Sequence, residues 1–267
     1  VKSFLAYMGG KSLLTDKIIP RIPEHQCFVE VFAGAAWLLF RKNEHISHVE
    51  VINDINLDLV TLYRVIKHHL EEFIRYFRWV LIARDEFDRL KAENPESLTD
   101  IQRSARFYYL LKSGYASRIK NPSFSSAATS KPRLNLLRIE EELSAVHLRL
   151  ARVYVENKPY REMIEKFDAP DTFMYLDPPY YGCEDYYGGG IFSREDFERL
   201  RDLLLPLKGK FMLSINDVPE IRRLFKDFRV ETVATSYSAA GANKKKRVTE
   251  LLISNYDPNS ARIGAQE

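Results

Sequence analysis

Asp177-Pro178-Pro179-Tyr180 is the stretch of this chain best suited to chemistry. It sets a carboxylate at one end of a stiff loop and an aromatic ring at the other. Each proline holds φ near about −65° and removes an N–H donor, so some of the loop's carbonyls are left to accept bonds from a ligand. The preceding run, Thr172-Phe173-Met174-Tyr175-Leu176, is apolar and bounded by turn signals, which predicts a buried strand. An acid at the C-terminal end of such a strand sits where open α/β sheets place their ligands. The competing reading is a turn that merely ends the strand, because Pro-Pro marks turns by itself.

Three further stretches carry residue types that suit a ligand. Ala6-Tyr7-Met8-Gly9-Gly10-Lys11 offers two glycines where a backbone can pass close to a ligand, then a lysine for a carboxylate or phosphate. A phosphate-binding P-loop is excluded, because its first glycine would fall at position 5, where Leu5 stands. Cys27-Phe28-Val29-Glu30-Val31-Phe32 reads as a strand, and Ala33-Gly34-Ala35-Ala36 as a small-residue turn into a helix. The dinucleotide fingerprint Gly-x-Gly-x-x-Gly is missing, which argues against a dehydrogenase. Val49 to Asp54 predicts a second strand tipped by an acid, 20 residues after Gly34. An acid at that spacing can hold a ribose diol, or Asn53, Asp54 or Asn56 can simply cap the next helix.

The elements that must position these residues follow from periodicity. Asn56 to His147 reads mostly as helix, with segments at 82–92, 100–112 and 135–150. Within it, 113–135 is polar, basic and aromatic, a loop or hairpin with residues suited to phosphates and bases. Strands are expected at 152–156, 172–176 and 210–215, and an antiparallel pair at 230–235 and 249–255. Helices are expected at 159–167 and 218–225. Ser193-Arg194-Glu195-Asp196 has the form of a capping box.

Composition limits the function classes. Hydrophobic content is 45%, enough for an ordinary core, and Cys27 and Cys183 form neither a disulfide framework nor a metal-ligand pattern. Neither a signal peptide nor a membrane span is evident, so a soluble intracellular protein is expected. Net charge is only +3, but residues 101–138 hold eight Lys/Arg and no Asp/Glu, and Lys244-Lys245-Lys246-Arg247 forms a second cluster. Such stretches suit a polyanion, or else a solvated surface.

Taken in order, Tyr7-Met8-Gly9-Gly10-Lys11, Phe28 to Gly34, Asn53-Asp54, the helical insertion, Asp177-Pro178-Pro179-Tyr180 and Thr249 to Tyr256 resemble the Dam-type, alpha-class (D12) DNA adenine-N6 methyltransferases. The resemblance covers nearly the whole chain. It implies an α/β, Rossmann-like class I methyltransferase fold, with a seven-stranded, mostly parallel sheet and an inserted helical DNA-recognition domain. The expected division is 1–58 and 151–267 for the catalytic domain and 59–150 for target recognition, with a hairpin near 115–135.

The same resemblance implies S-adenosylmethionine as methyl donor, S-adenosylhomocysteine as product and no metal. It assigns Tyr7, Lys11, Phe32, Gly34, Asp54 and Asp177 to the donor, and Asp177, Pro178 and Tyr180 to catalysis. Arg118, Lys120, Asn121, Lys131, Arg133, Lys244 and Lys245 are assigned to double-stranded DNA. It further implies a cytoplasmic, bacterial or phage-encoded monomer, and admits a cognate restriction endonuclease as partner. Two departures stand out. Tyr7 takes a place usually held by Trp, and Val31 and Ala36 replace the proline and last glycine of the usual Pro-Phe-x-Gly-x-Gly turn.

These residues suit amine methylation. An adenine amino group is a weak nucleophile because its lone pair is spread into the ring. Two acceptors aimed at its hydrogens, the Asp177 carboxylate and the Pro178 carbonyl, favour the pyramidal nitrogen that attacks a sulfonium methyl. A base inside a duplex must first be flipped out. Tyr180 then offers a stacking face, a contact worth roughly 1–3 kcal/mol per base. Methylation of cytosine N4, RNA adenine or a glutamine amide, and a non-catalytic DNA-binding relative, are the rival readings. Asp at 177 favours adenine by resemblance, since the cytosine enzymes tend to carry Ser there and the glutamine enzymes Asn.

Overall fold

The computed structural model describes residues 3–5, 14–117, 119–126, 128, 131–184, 191–237 and 246–259. Tyr7, Lys11, Arg118, Lys244 and Lys245 lie outside the described residues. The strands are β1 (Cys27–Glu30), β2 (Val49–Asn53), β3 (Val153–Glu156), β4 (Thr172–Leu176), β5 (Lys210–Asn216), β6 (Arg229–Tyr237) and β7 (Lys246–Ser254). They form one seven-stranded sheet in the order β3-β2-β1-β4-β5-β7-β6, with β7 antiparallel to both neighbours and the other pairs parallel. The helices are α1 (Thr15–Ile18), α2 (Trp37–Arg41), α3 (Leu57–His68), α4 (Leu70–Phe77), α5 (Arg84–Ala92), α6 (Asp100–Ser113), α7 (Ile139–Leu150), α8 (Tyr160–Phe167), α9 (Arg194–Leu204) and α10 (Pro219–Leu224).

The sheet is buried on both faces, which is why its strands read as continuous apolar runs rather than alternating ones. Phe28, Ile52, Phe173 and Met212 face one hydrophobic cluster, and their chain neighbours Val29, Val51, Met174 and Leu213 face the other. Met163 and Ile164 of α8, Phe197 and Leu200 of α9 and Ile221 of α10 cover the second face. The first face carries α3 to α7, the segment between β2 and β3. Phe73, Phe77 and Tyr108 from these helices belong to the same cluster as Phe28 and Phe173. The insertion therefore shares its core with the sheet.

Ion pairs set the direction of the insertion. Arg103 of α6 pairs with Asp58 of α3, and Arg64 of α3 with Asp100 of α6 at 3.0 Å, so the two helices are antiparallel. From Arg103, α6 runs ten residues further, roughly 15 Å at 1.5 Å per residue, beyond the C-terminal ends of the strands. Its end opens into a short antiparallel pairing: the Tyr115 N–H donates to Ser123 O at 2.7 Å and the Ser125 N–H to Ser113 O at 2.9 Å. Gly114 is bridged to Phe124 there, and a Cβ at Gly114 would meet the Leu110 carbonyl at 2.5 Å. The start of α7 is Ile139 rather than Asn135. Asn135 instead bonds the Leu137 N–H, a local turn that competes with the helix.

A buried charge cluster joins the insertion to the sheet away from the strands' C-terminal ends. Glu50 of β2 accepts from Arg149 of α7 at 2.8 Å and from Lys42, and Arg149 also donates to the Leu39 carbonyl at 3.0 Å. Burial pushes the Glu50 carboxyl up, but Arg149 and Lys42 outweigh it and hold it below the usual range. Glu50→Ala would leave two buried cations without their counter-charge. The expected loss is about 3–5 kcal/mol in equilibrium denaturation. A variant as stable as the parent would show that the cluster is not a joint.

Candidate functional site

The chain's strand order reverses between β1 and β4, the place where open sheets leave a crevice for ligands. A cavity of about 570 Å³ lies there. Its wall takes Gly34 from the turn after β1, Asp54 from the end of β2, Pro159 and Tyr160 from beyond β3, and Asp177 and Pro179 from beyond β4. Phe32 is also part of it. Four of the residues singled out for the donor, Phe32, Gly34, Asp54 and Asp177, thus meet on one cavity. Pro178 and Tyr180 adjoin it in the chain without forming its wall.

Short-range hydrogen bonds hold these loops together. The Asn53 side chain donates to Val31 O at 2.9 Å and to Lys158 O at 3.0 Å, and accepts from the Lys158 N–H at 2.8 Å. It fastens the loops after β1, β2 and β3 to one another. Asp54 accepts from the Gly34 N–H at 2.8 Å and from the Asn56 N–H at 2.9 Å. Burial raises the Asp54 carboxyl above its ordinary value despite these bonds. The Ile55 N–H is a third backbone partner, and a carboxylate offers about four lone-pair sites, so capacity for a ribose hydroxyl remains. Asn56, not Asp54, caps α3, accepting from the N–H groups of Asp58 and Leu59.

The turn after β1 is left-handed twice. Gly34 has φ 50°, which glycine adopts at no steric cost, but Ala36 has φ 49° and is fully buried. The Gly34 carbonyl accepts from the Tyr63 hydroxyl at 2.8 Å, which braces the turn against α3. Ala36→Gly is expected to stabilise the chain by about 1 kcal/mol, read as a higher denaturation midpoint. An unchanged midpoint would mean that the alanine is not strained.

Sequence reasoning missed two parts of the wall. One is aromatic: Tyr160 and Phe192 join Phe32, and the three rings have mutual centroid distances of 5.6 to 5.9 Å. Tyr160 donates to Asp196 at 2.9 Å, so the box residue that caps α9 also orients a cavity ring. The other is Glu30, the last residue of β1, only 2% exposed and bonded by the Leu39 N–H at 3.0 Å. Burial pushes its carboxyl up to about 8, and the nearby Asp177 charge adds to the shift. The folded chain then holds a proton that the unfolded chain releases above its ordinary pKa of 4.5, so this group's contribution to stability falls as pH rises from there to about 8. Glu30→Gln is expected to flatten that descent. Parallel stability-against-pH curves for the two proteins would refute it.

Beyond β4, Ser214 Oγ donates to Asp177 Oδ1 at 3.0 Å and lies 2.8 Å from the Tyr175 hydroxyl. Tyr180 is half-buried, and its hydroxyl donates to Glu250 at 2.6 Å. Of the residues assigned to DNA, Lys120, Asn121 and Lys131 are exposed. Arg133 is also exposed, but its guanidinium donates to Ser117 Oγ at 3.1 Å and to the Gly114 carbonyl, closing the base of the paired segment.

The chain is similar to known proteins along nearly its whole length. Residues 7–239 match the model of the D12 class N6 adenine-specific DNA methyltransferases. A Type II methyltransferase of Lactococcus lactis subsp. cremoris, M1.LlaDCHI, is 27% identical, with 96% of each chain covered. A second, M.CviBI of a Paramecium bursaria Chlorella virus, is 24% identical over 96% of this chain and 100% of its own. The DNA adenine methylase of Escherichia coli is 25% identical over 94% of each. The matched stretch contains the cavity loops after β1 to β4, the segment between β2 and β3 and all of β6, and with them the chain belongs to the D12 class of N6 adenine-specific DNA methyltransferases.

Proposed function

We propose that the cavity at the strand-order reversal seats S-adenosylmethionine, and that Asp177, Pro178 and Tyr180 receive the adenine beside it. The observation that carries this reading is the convergence of Gly34, Asp54 and Asp177, from three neighbouring strand ends, on one cavity. Its volume is in the range of sites that enclose a ligand of this size. The donor set fits the molecule as well. Asp54 suits a ribose diol, the Phe32–Tyr160–Phe192 wall suits a purine face, and the Asp177 carboxylate suits a cationic sulfonium. Tyr7 and Lys11 are assigned to the same donor by motif.

When bound, S-adenosylmethionine supplies an electrophilic methyl carbon. The chain's residues prepare the nucleophile. Ser214 holds Asp177 Oδ1, which fixes the rotation of the carboxylate. Asp177 and the Pro178 carbonyl then accept from the two amino hydrogens of the base and draw its nitrogen toward a pyramidal shape. No strong base has to act first, because the amino proton becomes acidic only as the nitrogen gains its methyl. The acceleration rests on alignment and on dipoles that need no reorganisation.

The insertion, 59–150, is assigned to target recognition, with flanking catalytic segments 1–58 and 151–267. Lys120 and Asn121 lie in the loop closed by the Gly114–Phe124 bridge. Phosphate contacts there, together with Arg118, Lys131, Lys244 and Lys245, make duplex binding steeply salt-dependent. In this reading the chain works as a monomer on cytoplasmic DNA.

The test is mass spectrometry of nucleosides after incubating the protein with duplex DNA and labelled donor. N6-methyladenine is expected, and labelled N4-methylcytosine would overturn the reading. Asp177→Ala should lower methyl transfer by at least about 10²–10³-fold while duplex affinity is largely kept. Near-parental turnover in that variant would remove Asp177 from the reaction.

A further inference from the structure

We propose that Glu250 is a positioning residue for the reaction, acting through the hydroxyl of Tyr180; this rests on the reading of the Asp177–Tyr180 loop given above. Glu250 lies on β7, directly opposite Asn216 of β5 in the antiparallel register, and is fully buried. Its carboxylate accepts from the Tyr180 hydroxyl at 2.6 Å. Opposed residues of an antiparallel pair share a face, and so does Ser214, two residues before Asn216. Three polar side chains on one face of β5 and β7 therefore reach the same loop.

Each of the three holds a different part of it. Ser214 holds the Asp177 carboxylate at 3.0 Å. Asn216 accepts from the Tyr181 N–H at 2.9 Å and donates to the Tyr181 carbonyl at 3.1 Å, fixing the backbone on the far side of the prolines. Glu250 holds the tip of the ring between them. Pro178 and Pro179 stiffen the backbone, but they leave the Tyr180 side-chain torsions unconstrained. A hydrogen bond at the hydroxyl lies in the ring plane, so it stops the ring from swinging and leaves its face open for a base to stack on. The donation to a carboxylate is charge-assisted and short, stronger than a bond between neutral groups.

Placing a carboxylate at this depth is costly, and an apolar side chain would serve packing alone at least as well. The cost is understandable if the acceptor orients the ring. Two residues along β7, Leu252 on the same face is apolar and belongs to the core. Glu250 thus stands where the strand meets the loop.

The test is a double-mutant cycle on methyl transfer to duplex DNA from a host lacking adenine methylation. Tyr180→Phe removes the hydroxyl and keeps the ring, while Glu250→Leu removes the acceptor. Each is expected to lower kcat about tenfold with the KM for S-adenosylmethionine little changed, and the double variant is expected to be no worse than either single one. Independent effects would multiply to about a hundredfold, and that result would overturn the coupling. Glu250→Gln keeps an acceptor oxygen in nearly the same shape, so it should recover most of what Glu250→Leu loses. If the glutamine variant is as poor as leucine, an acceptor for the tyrosine is not what the site needs. Should Glu250→Leu fail to fold, Tyr180→Phe and Glu250→Gln still decide: unimpaired turnover in Tyr180→Phe overturns the proposal. Parental protein that leaves adenine unmethylated overturns the underlying reading of the site, whereas additive losses in an active parent overturn only the role of Glu250.

Discussion

The reversal of strand order between β1 and β4 is the constraint on which the rest of the molecule depends. The chain leaves β1 toward one side of the sheet and returns to build β4 on the other, so the loops that follow these two strands diverge. A sheet buried on both faces cannot accommodate polar groups along its length without partners. Its C-terminal ends can, and there the acids gather: Glu30, Asp54 and Asp177 each stand at or just past the end of a strand. The cavity follows from topology, and its chemistry follows from what ends those strands.

The three acids are tuned differently by their surroundings. Asp54 is held by the backbone N–H groups of Gly34, Asn56 and Ile55, which orient it and partly offset its burial. Asp177 is oriented by a hydroxyl, itself in contact with a second hydroxyl, on a neighbouring strand and side chain. Glu30 has a backbone partner but is pushed up to about 8 by burial, with the charge of Asp177 adding to the push. Division of labour among like groups by environment is a general feature of sites that handle protons.

Much of this was legible in the residues themselves. The strand at 172–176 has the bounds its apolar run implies, and Ser193 and Asp196 form their box, because both depend on contacts within a few residues. The parallel sheet with an antiparallel end could be inferred from the resemblance. Phe32, Gly34, Asp54 and Asp177, singled out from separate stretches, line one cavity. What could not be read depends on register between distant segments. Glu250 meets Tyr180 across 70 positions, and Arg149 meets Glu50 across 99. No local pattern encodes either distance. Arg133 shows the converse limit: composition suits it to a phosphate, but two of its nitrogens are engaged by Ser117 and Gly114. Glu30 carried a faint signal, an acid inside an apolar strand, which alternation alone would have placed on a wet face.

The common core of sheet and insertion has a consequence for how such proteins diversify. Phe73, Phe77 and Tyr108 pack in one body with Phe28 and Phe173, so the helices that carry the 113–125 pairing rest directly on the strands. Exchanging the whole segment between β2 and β3 among relatives would therefore cut through packed aromatic rings. In the proposed reading, where the short loop beyond Gly114 meets DNA, drift toward a new target is cheaper there than in the packed helices that carry it.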